Sequence, residues 1–550
     1  MMTVRQHRVA LCFSANLAFW LSLIFAGLPA PFVDDMFYLG AGLELGRSGQ
    51  LINPWLLGHF PGTDHFIVYP PLFFYIVAAW TKILGVSTWA LAALWAICSA
   101  IATTFFARFL ERAFGISIWW PVSQALLFGA LAYSGFRPEF VGFAFLFAGL
   151  YYVFYGQGRA VEAAGVFLLG LSVLAAPVLL GIVFAIAAVW LWHNRRDRRA
   201  LVSMLFAGVA AGAVMLGMTA LMIEGQVAEM VRAIGYHSQR WILLGETIHE
   251  GGGVRLGYFY FSSMIVLAAL AAVKYAFRLP FEKLFLTLCF IVASYPFVKT
   301  IHVRPSIELL FRSFMVIGVI VEAIDVVMRV LAKRGLGTQL NGQLKRLAVA
   351  VFVCVTVLGH AYSVVRLQRL QLDGPLVAQT LQRIGEKKKE QEIKNILVDS
   401  LTARLVFDFT LPEGAKDWYF SESFPQYWPP TPSALRSDAI WVVHEQVLYR
   451  WTSDLIARGK VHWTNPQEIN AAFRGRYYPT SSTVGLGNDN GESNMLDKTL
   501  RLTLRFPSIP PQLLPMNRAP ICVVSNHEVA TSDELNLLKA ILAECSKSLS

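Results

Sequence analysis

The sequence predicts a polytopic α-helical membrane protein of about eleven spans, followed by a C-terminal extracytoplasmic mixed α/β domain. Three observations carry that prediction. Hydrophobic residues make up 55% of the 550-residue chain, and its mean hydropathy is +0.51. Only 15% of residues are charged, against about 25% in an average soluble protein. Apolar runs approaching the roughly 20 residues that cross a bilayer recur from residue 9 to residue 365 and then stop.

Candidate spans lie near 9–28, 88–107, 118–135, 139–155, 160–175, 177–192, 200–223, 256–273, 283–298, 307–328 and 347–365. The first follows Arg5 and Arg8 and ends at Leu28-Pro29-Ala30, features shared with a cleaved signal peptide. Its apolar core of roughly 20 residues exceeds the 7–15 of a signal, so a retained helix is expected. The run 160–192 is interrupted at Pro177 and reads as a helical hairpin. Segment 67–84, IVYPPLFFYIVAAWTKIL, is apolar but carries Pro70-Pro71 and Lys82. Loop charge places it along the membrane surface. With the N-terminus inside and 67–84 not crossing, Arg108, Arg112, Arg159, the HNRRDRR loop (193–199), Lys274 and Arg278 fall inside, as the positive-inside bias requires. If 67–84 crosses, every later loop flips. Residues 1–365 thus form the membrane domain, with a first outer loop over 29–87.

Eleven spans leave the C-terminus outside. Residues 366–394 are a charged linker that includes EKKKEQEIK (386–394), and 395–550 form the α/β domain. Strands are expected over 439–449, 498–506 and 519–529, with a closing helix over 532–549. The stretch TVGLGNDNGES (483–493) is a loop; it lacks the Lys and Ser/Thr of a phosphate cradle. Residues 366–550 hold 21 basic and 20 acidic residues, so nearly all of the net +11 belongs to the membrane half. A basic excess there serves topology, so membrane lipid is the expected partner and nucleic acid is not. Cys12, Cys98, Cys289 and Cys354 lie in spans and act as small hydrophobes. Cys522 and Cys545 are free to pair if the tail meets an oxidising compartment. No Cys/His zinc spacing occurs.

The chemistry-bearing feature is Asp34-Asp35, just after the first span, in PFVDDMFYLGAGLEL. Carboxylates at a membrane edge are costly and mark candidate sites. They can deprotonate an acceptor hydroxyl or hold a divalent cation such as Mg or Mn. They also suit a plain helix N-terminus. Four landmarks follow in order: the amphipathic helix DDMFYLGAGLELGRSG (34–49), Tyr69-Pro70-Pro71-Leu72 with its aromatic stretch, a Leu-Gly turn, and a span ending in ARFLERAFG (107–115).

Over roughly residues 1–200, and more weakly to 365, that order resembles the membrane glycosyltransferases of the GT-C superfamily, in the branch of the protein mannosyltransferase and aminoarabinose transferase families. The resemblance implies a multi-span enzyme of the cytoplasmic (inner) membrane. It implies transfer of a sugar from a polyprenyl-phosphate-linked donor, on the outer face, to a cell-envelope glycan, lipid or protein. It casts Asp34 as general base or metal-linked acid and Asp35 as its partner. Some relatives carry Lys or His before the Pro segment; here the nearby residues are His65 and Tyr69.

Three further clusters fall on the same expected face. In GFRPEF (135–140), Arg137 and Glu139 flank a proline, and Arg137 is suited to bidentate phosphate or sugar binding or to an anchoring ion pair. The loop 224–255 carries His237, Arg240, Trp241 and His249, residue types that stack on and hydrogen-bond sugars. FVKTIHVRPSIELLFRSF (297–314) carries Lys299, His302, Arg304 and Arg312, cations against the positive-inside trend and suited to a lipid-phosphate leaving group. A transporter or flippase of a charged lipid or sugar, and a non-catalytic membrane scaffold, are the competing readings.

Overall fold

The structure, a computed structural model, describes residues 4–29, 35–53, 69–114, 119–132, 135–232, 252–281, 284–289, 292, 305–333, 340–368, 382–384, 386, 395–399, 418–421, 439–444 and 521–525. Most of these are helical. The helices are α1 (Val4–Phe25), α2 (Asp35–Ser48), α3 (Leu72–Leu84), α4 (Thr88–Phe114), α5 (Trp119–Ala132), α6 (Glu139–Tyr155), α7 (Arg159–Ala175), α8 (Leu180–Asn194), α9 (Arg198–Met222), α10 (Gly252–Ala276), α11 (Pro305–Lys333) and α12 (Leu340–Gln368). Helices are the expected answer for long apolar runs, because they satisfy every backbone polar group within one segment. Among the described residues, four stretches are long and apolar enough to cross a membrane: Thr88–Ala113, Pro177–Asn194, Arg198–Met222 and Gly342–Ala361. Five further apolar helices in the described residues are shorter, α3 and α6 among them. At 13 residues, α3 is only about 20 Å long and too short to cross a hydrocarbon core of about 30 Å unaided.

Proline and glycine set the boundaries. Pro177 opens a 3-10 turn (Pro177–Leu179) that separates α7 from α8. α7 packs mainly against α6 and α9, so the predicted 160–192 hairpin is a break at Pro177 with α7 and α8 only lightly paired. Gly85, at φ +80, ends α3, and its N–H bonds Thr81 O. α6 and α7 form a tight helix pair. A Cβ on Gly149 would lie 2.8 Å from Gly165 O, so the α6 and α7 backbones touch there. Small residues at such contacts let helices approach when lipid removes the hydrophobic drive.

The core lies between α1, α4, α5 and α6, with α11 and α12 against α5. Trp20 and Trp95 are fully buried and meet edge to face, 5.2 Å apart at 88°. Their indoles donate to Thr103 Oγ1 (3.2 Å) and Leu131 O (3.0 Å). Asn16 Nδ2 donates to Thr104 Oγ1 (2.9 Å), and Gln124 Nε2 donates to Asn16 Oδ1 (2.8 Å). These bonds fix the register of α1, α4 and α5, because each buried polar group needs its partner.

A second polar cluster ties α10, α11 and α12. Lys274 and Glu322 are 1% and 2% exposed and form an ion pair. Lys274 also donates to Pro280 O (3.1 Å) and lies 5.3 Å from the Phe285 ring centre. Asp325 pairs with Arg329 (2.6 Å) and with Lys345. The sequence reading assigned Lys274 to an inside loop. The structure places it within the last turn of α10, held by a carboxylate 48 residues away that local patterning does not reveal.

In the tail, β1 (Asn395–Asp399), β2 (Trp418–Ser421), β3 (Ala439–His444) and β4 (Ile521–Ser525) form a sheet of order β2-β1-β3-β4. β1 pairs in parallel with β2 and β3, while β3 and β4 are antiparallel, with Trp441 opposite Val524. β3 and β4 fall within the strands predicted over 439–449 and 519–529; β1 and β2 were not predicted. The predicted strand over 498–506 and helix over 532–549 lie outside the described residues.

Removing one partner of a buried pair leaves a naked charge, at about 3–5 kcal/mol, whereas replacing both with apolar residues is close to neutral. Lys274→Ala is expected to lower the thermal unfolding temperature of the detergent-solubilised protein strongly, and the double variant Lys274→Met/Glu322→Leu to restore most of it. Equal losses in both would contradict the pairing.

Candidate functional site

The segments flanking α2, α3 and α6 converge at one end of the helical core. α2 begins at Asp35, whose carboxylate sits at a helix N-terminus, where the helix dipole favours negative charge. Asp35 is fully buried, and its Oδ1 accepts the Phe136 N–H at 2.9 Å. That contact depends on the turn before α6: Gly135, at φ +62, takes a left-handed conformation that few side chains tolerate. Pro138 then caps α6, and Glu139 is the acid in its first turn.

Arg137 binds this junction together. It is 4% exposed, and Glu139 beside it is 3% exposed. Its Nη2 donates to Glu139 Oε1 at 2.6 Å, and its Nε reaches both carboxylate oxygens at 3.1–3.2 Å. The guanidinium also lies 5.0 Å from the Tyr38 ring centre, with Nη2 3.4 Å from the Tyr38 hydroxyl. Tyr38 is one helical turn beyond Asp35, on the same face of α2. Its hydroxyl donates to the Tyr69 hydroxyl at 3.1 Å, and the two rings meet edge to face at 5.1 Å. A chain of contacts therefore runs Glu139–Arg137–Tyr38–Tyr69, ending immediately before Pro70-Pro71.

α2 and α3 are locked so that this geometry holds. A Cβ on Gly42 would lie 2.9 Å from Val77 Cβ, and one on Gly46 3.1 Å from Thr81 Oγ1, a small-xxx-small contact between the two helices. Tyr75 donates from α3 to Met222 O at 2.8 Å, and Trp80 donates to Ala90 O at 2.7 Å. These bonds anchor α3 to the end of α9 and the start of α4.

Of the residues predicted from sequence, the structure brings together Asp35, Tyr69, Arg137 and Glu139. Asp34, His65, His237, Arg240, Trp241, His249, Lys299, His302 and Arg304 lie outside the described residues, and Arg312 is on α11 with its side chain outside them. Tyr38 was missed. Its signal was present, since it stands three residues after Asp35 on a predicted helix. Arg137 spends its fork on Glu139 and its plane on Tyr38, which suits it to hold neighbouring groups in place. Among the described residues no three His, Cys, Asp or Glu side chains come together as a metal cage. Asp35 has one oxygen engaged by Phe136, and Glu139 is engaged by Arg137. Asp34, the other half of the acidic pair suited to a divalent cation, lies outside the described residues.

Chemically, the cluster offers a buried carboxylate, two linked phenol hydroxyls and a compensated guanidinium. Asp35→Asn keeps an acceptor for the Phe136 N–H, whereas Asp35→Ala leaves that donor bare, at about 1–3 kcal/mol. Thermal unfolding in detergent is expected to show Asp35→Asn near wild type and Asp35→Ala clearly lower. Identical unfolding of the two variants would contradict the observed bond. Comparisons with protein-family models, with curated proteins and with solved structures find no match to this chain.

Proposed function

We propose that the protein is a polytopic membrane glycosyltransferase that moves a sugar from a polyprenyl-phosphate-linked donor to a cell-envelope glycan, lipid or protein. The observation that carries the reading is the convergence of Asp35, Tyr38, Tyr69, Arg137 and Glu139 from three separated segments at one end of the helical core. Two of those segments are landmarks in the GT-C resemblance: the acidic pair after the first span and the Tyr-Pro-Pro-Leu stretch.

In this reading the acidic pair lies at the outer face of the cytoplasmic membrane, and α3 lies along that surface. The length of α3 supports the placement, as does its close packing along α2. Asp34 is the general base that takes the acceptor hydroxyl proton as the oxygen attacks the anomeric carbon. Asp35, tied to the Phe136 N–H, positions Asp34. Tyr38 and Tyr69 offer hydroxyls to the sugar. The anomeric carbon–oxygen bond to the polyprenyl phosphate breaks, and Lys299, His302, Arg304 and Arg312 take up the charge on the departing phosphate. Arg137, already compensated by Glu139, orients Tyr38. The four-stranded sheet supports a mixed α/β domain for the tail, and a topology of eleven spans would put that domain outside.

The rival transporter reading draws on the buried Lys274–Glu322 pair, since ionisable groups inside a helical bundle often line a pathway. That pair is closed on itself and on Pro280 O, which fits an anchor better than a path.

Sugar transfer from a mixed pool of polyprenyl-phosphate sugars separates these readings. In membranes carrying matched protein levels, wild type is expected to label an acceptor, and Asp34→Asn to transfer about 100–10,000-fold more slowly, the usual contribution of a positioned general base. Asp35→Asn is expected to fall between them. Equal transfer by wild type and Asp34→Asn would remove Asp34 from the chemistry. An absence of transfer from every donor would contradict the enzyme reading.

A further inference from the structure

The turn between α8 and α9 reads HNRRDRR over 193–199, with four arginines against one aspartate. α9, and α8 together with the 3-10 turn before it (Pro177–Asn194), are long and apolar enough to cross a membrane. As spans, they put their short connector at a bilayer surface, whichever way the chain is oriented. Arginines in such a connector serve topology, yet these also border a shallow, largely open recess. It measures about 540 Å³ and is bordered by His193, Asn194, Arg196, Asp197, Arg198 and Arg199.

Two of the charges in the turn are already committed. Asp197 Oδ1 accepts the Ala200 N–H at 3.0 Å and caps α9. Arg195 lies 4.4 Å from the Trp192 ring centre and donates to Trp192 O at 2.7 Å. A half-exposed tryptophan at the end of an apolar helix marks headgroup depth. Arg196, Arg198 and Arg199 then stand around the recess at that depth. Below it, Leu205, Phe206, Val209 and Leu216 on α9 and Phe184 on α8 are exposed apolar surface.

We infer that this recess holds the headgroup of an anionic phospholipid of the surrounding bilayer, with its acyl chains along the apolar faces of α8 and α9. Planar guanidinium forks match phosphate oxygens bidentately. Basic pockets beside membrane helices are suited to anionic headgroups. A soluble phosphate would use the arginines but leave the adjoining apolar faces without a role; a lipid uses both. The inference is independent of the proposed sugar transfer.

The test is lipid retention by the full-length protein in neutral detergent, read by native mass spectrometry, with phosphatidylglycerol and phosphatidylcholine of matched chains. Phosphatidylglycerol is expected to be retained at least tenfold better. At about fivefold per arginine, Arg196→Gln should weaken that retention about fivefold, and the triple Arg196→Gln/Arg198→Gln/Arg199→Gln on the order of 100-fold. Circular dichroism and a monodisperse profile establish that each variant is folded, and the single variant serves if the triple is not. Equal retention of the two lipids, or unchanged retention by folded Arg196→Gln, overturns the inference. So does displacement of phosphatidylglycerol by an equal concentration of inorganic phosphate, which would assign the recess to a free anion. A stable dimer that excludes lipid from α9 would assign the face to a second copy and overturn it as well.

Discussion

A guanidinium kept almost entirely out of water organises the Asp35 end of this molecule. Arg137 is tolerable there because Glu139 gives it a bidentate carboxylate and Tyr38 gives it a ring face. An unpaired charge in such a place costs several kcal/mol, so the pair constrains everything around it. It requires the Gly135 turn and the Pro138 cap, which place Arg137 and Glu139 on the same side of the α6 start. It requires α2 to present Tyr38, and the same α2 face brings Asp35 onto the Phe136 N–H. Tyr38 in turn reaches Tyr69, fixing where the chain enters Pro70-Pro71 and α3.

The same rule, that a buried charge must have its partner, recurs around Lys274. There it joins α10 to α11, and the adjoining Asp325 joins α11 to α12. The two polar knots differ in what they hold. Arg137 fastens loop segments and helix starts that carry candidate chemistry, while Lys274 and Asp325 fasten helices to one another. Neutral bonds between Asn16, Thr104 and Gln124 do the equivalent work among α1, α4 and α5, where a charge would be too costly.

Much of the helical layout was legible in the sequence because apolar run length and proline or glycine punctuation are local signals. α6 begins directly after Pro138, α7 and α8 separate at Pro177, and α3 stops at Gly85. The acidic pair and the Arg-Pro-Glu stretch stood out for a related reason: charges are rare among apolar residues, so each one is conspicuous. What escaped is what depends on distant partners. Nothing near Lys274 points to Glu322, and nothing near Arg137 points to Tyr38, 99 residues earlier. The position of Tyr38, three residues after Asp35 on a predicted helix, was visible, but an aromatic residue there is ordinary until its neighbour is known. β2 escaped because a four-residue strand carries too little pattern, and β1 because it directly follows a charged linker.

The central claim is that the Asp35–Tyr38–Tyr69–Arg137 junction is where a polyprenyl-phosphate sugar meets the protein. Photo-crosslinking places that contact directly. A polyprenyl-phosphate sugar with a photoreactive group beside its phosphate would be irradiated with the full-length protein in membranes, and the adducts mapped by peptide mass. The account predicts adducts concentrated in α2, in the stretch leading into α3 around Tyr69, and in the turn 135–139. Adducts spread in proportion to exposed apolar surface, or confined to α8 and α9, would contradict it.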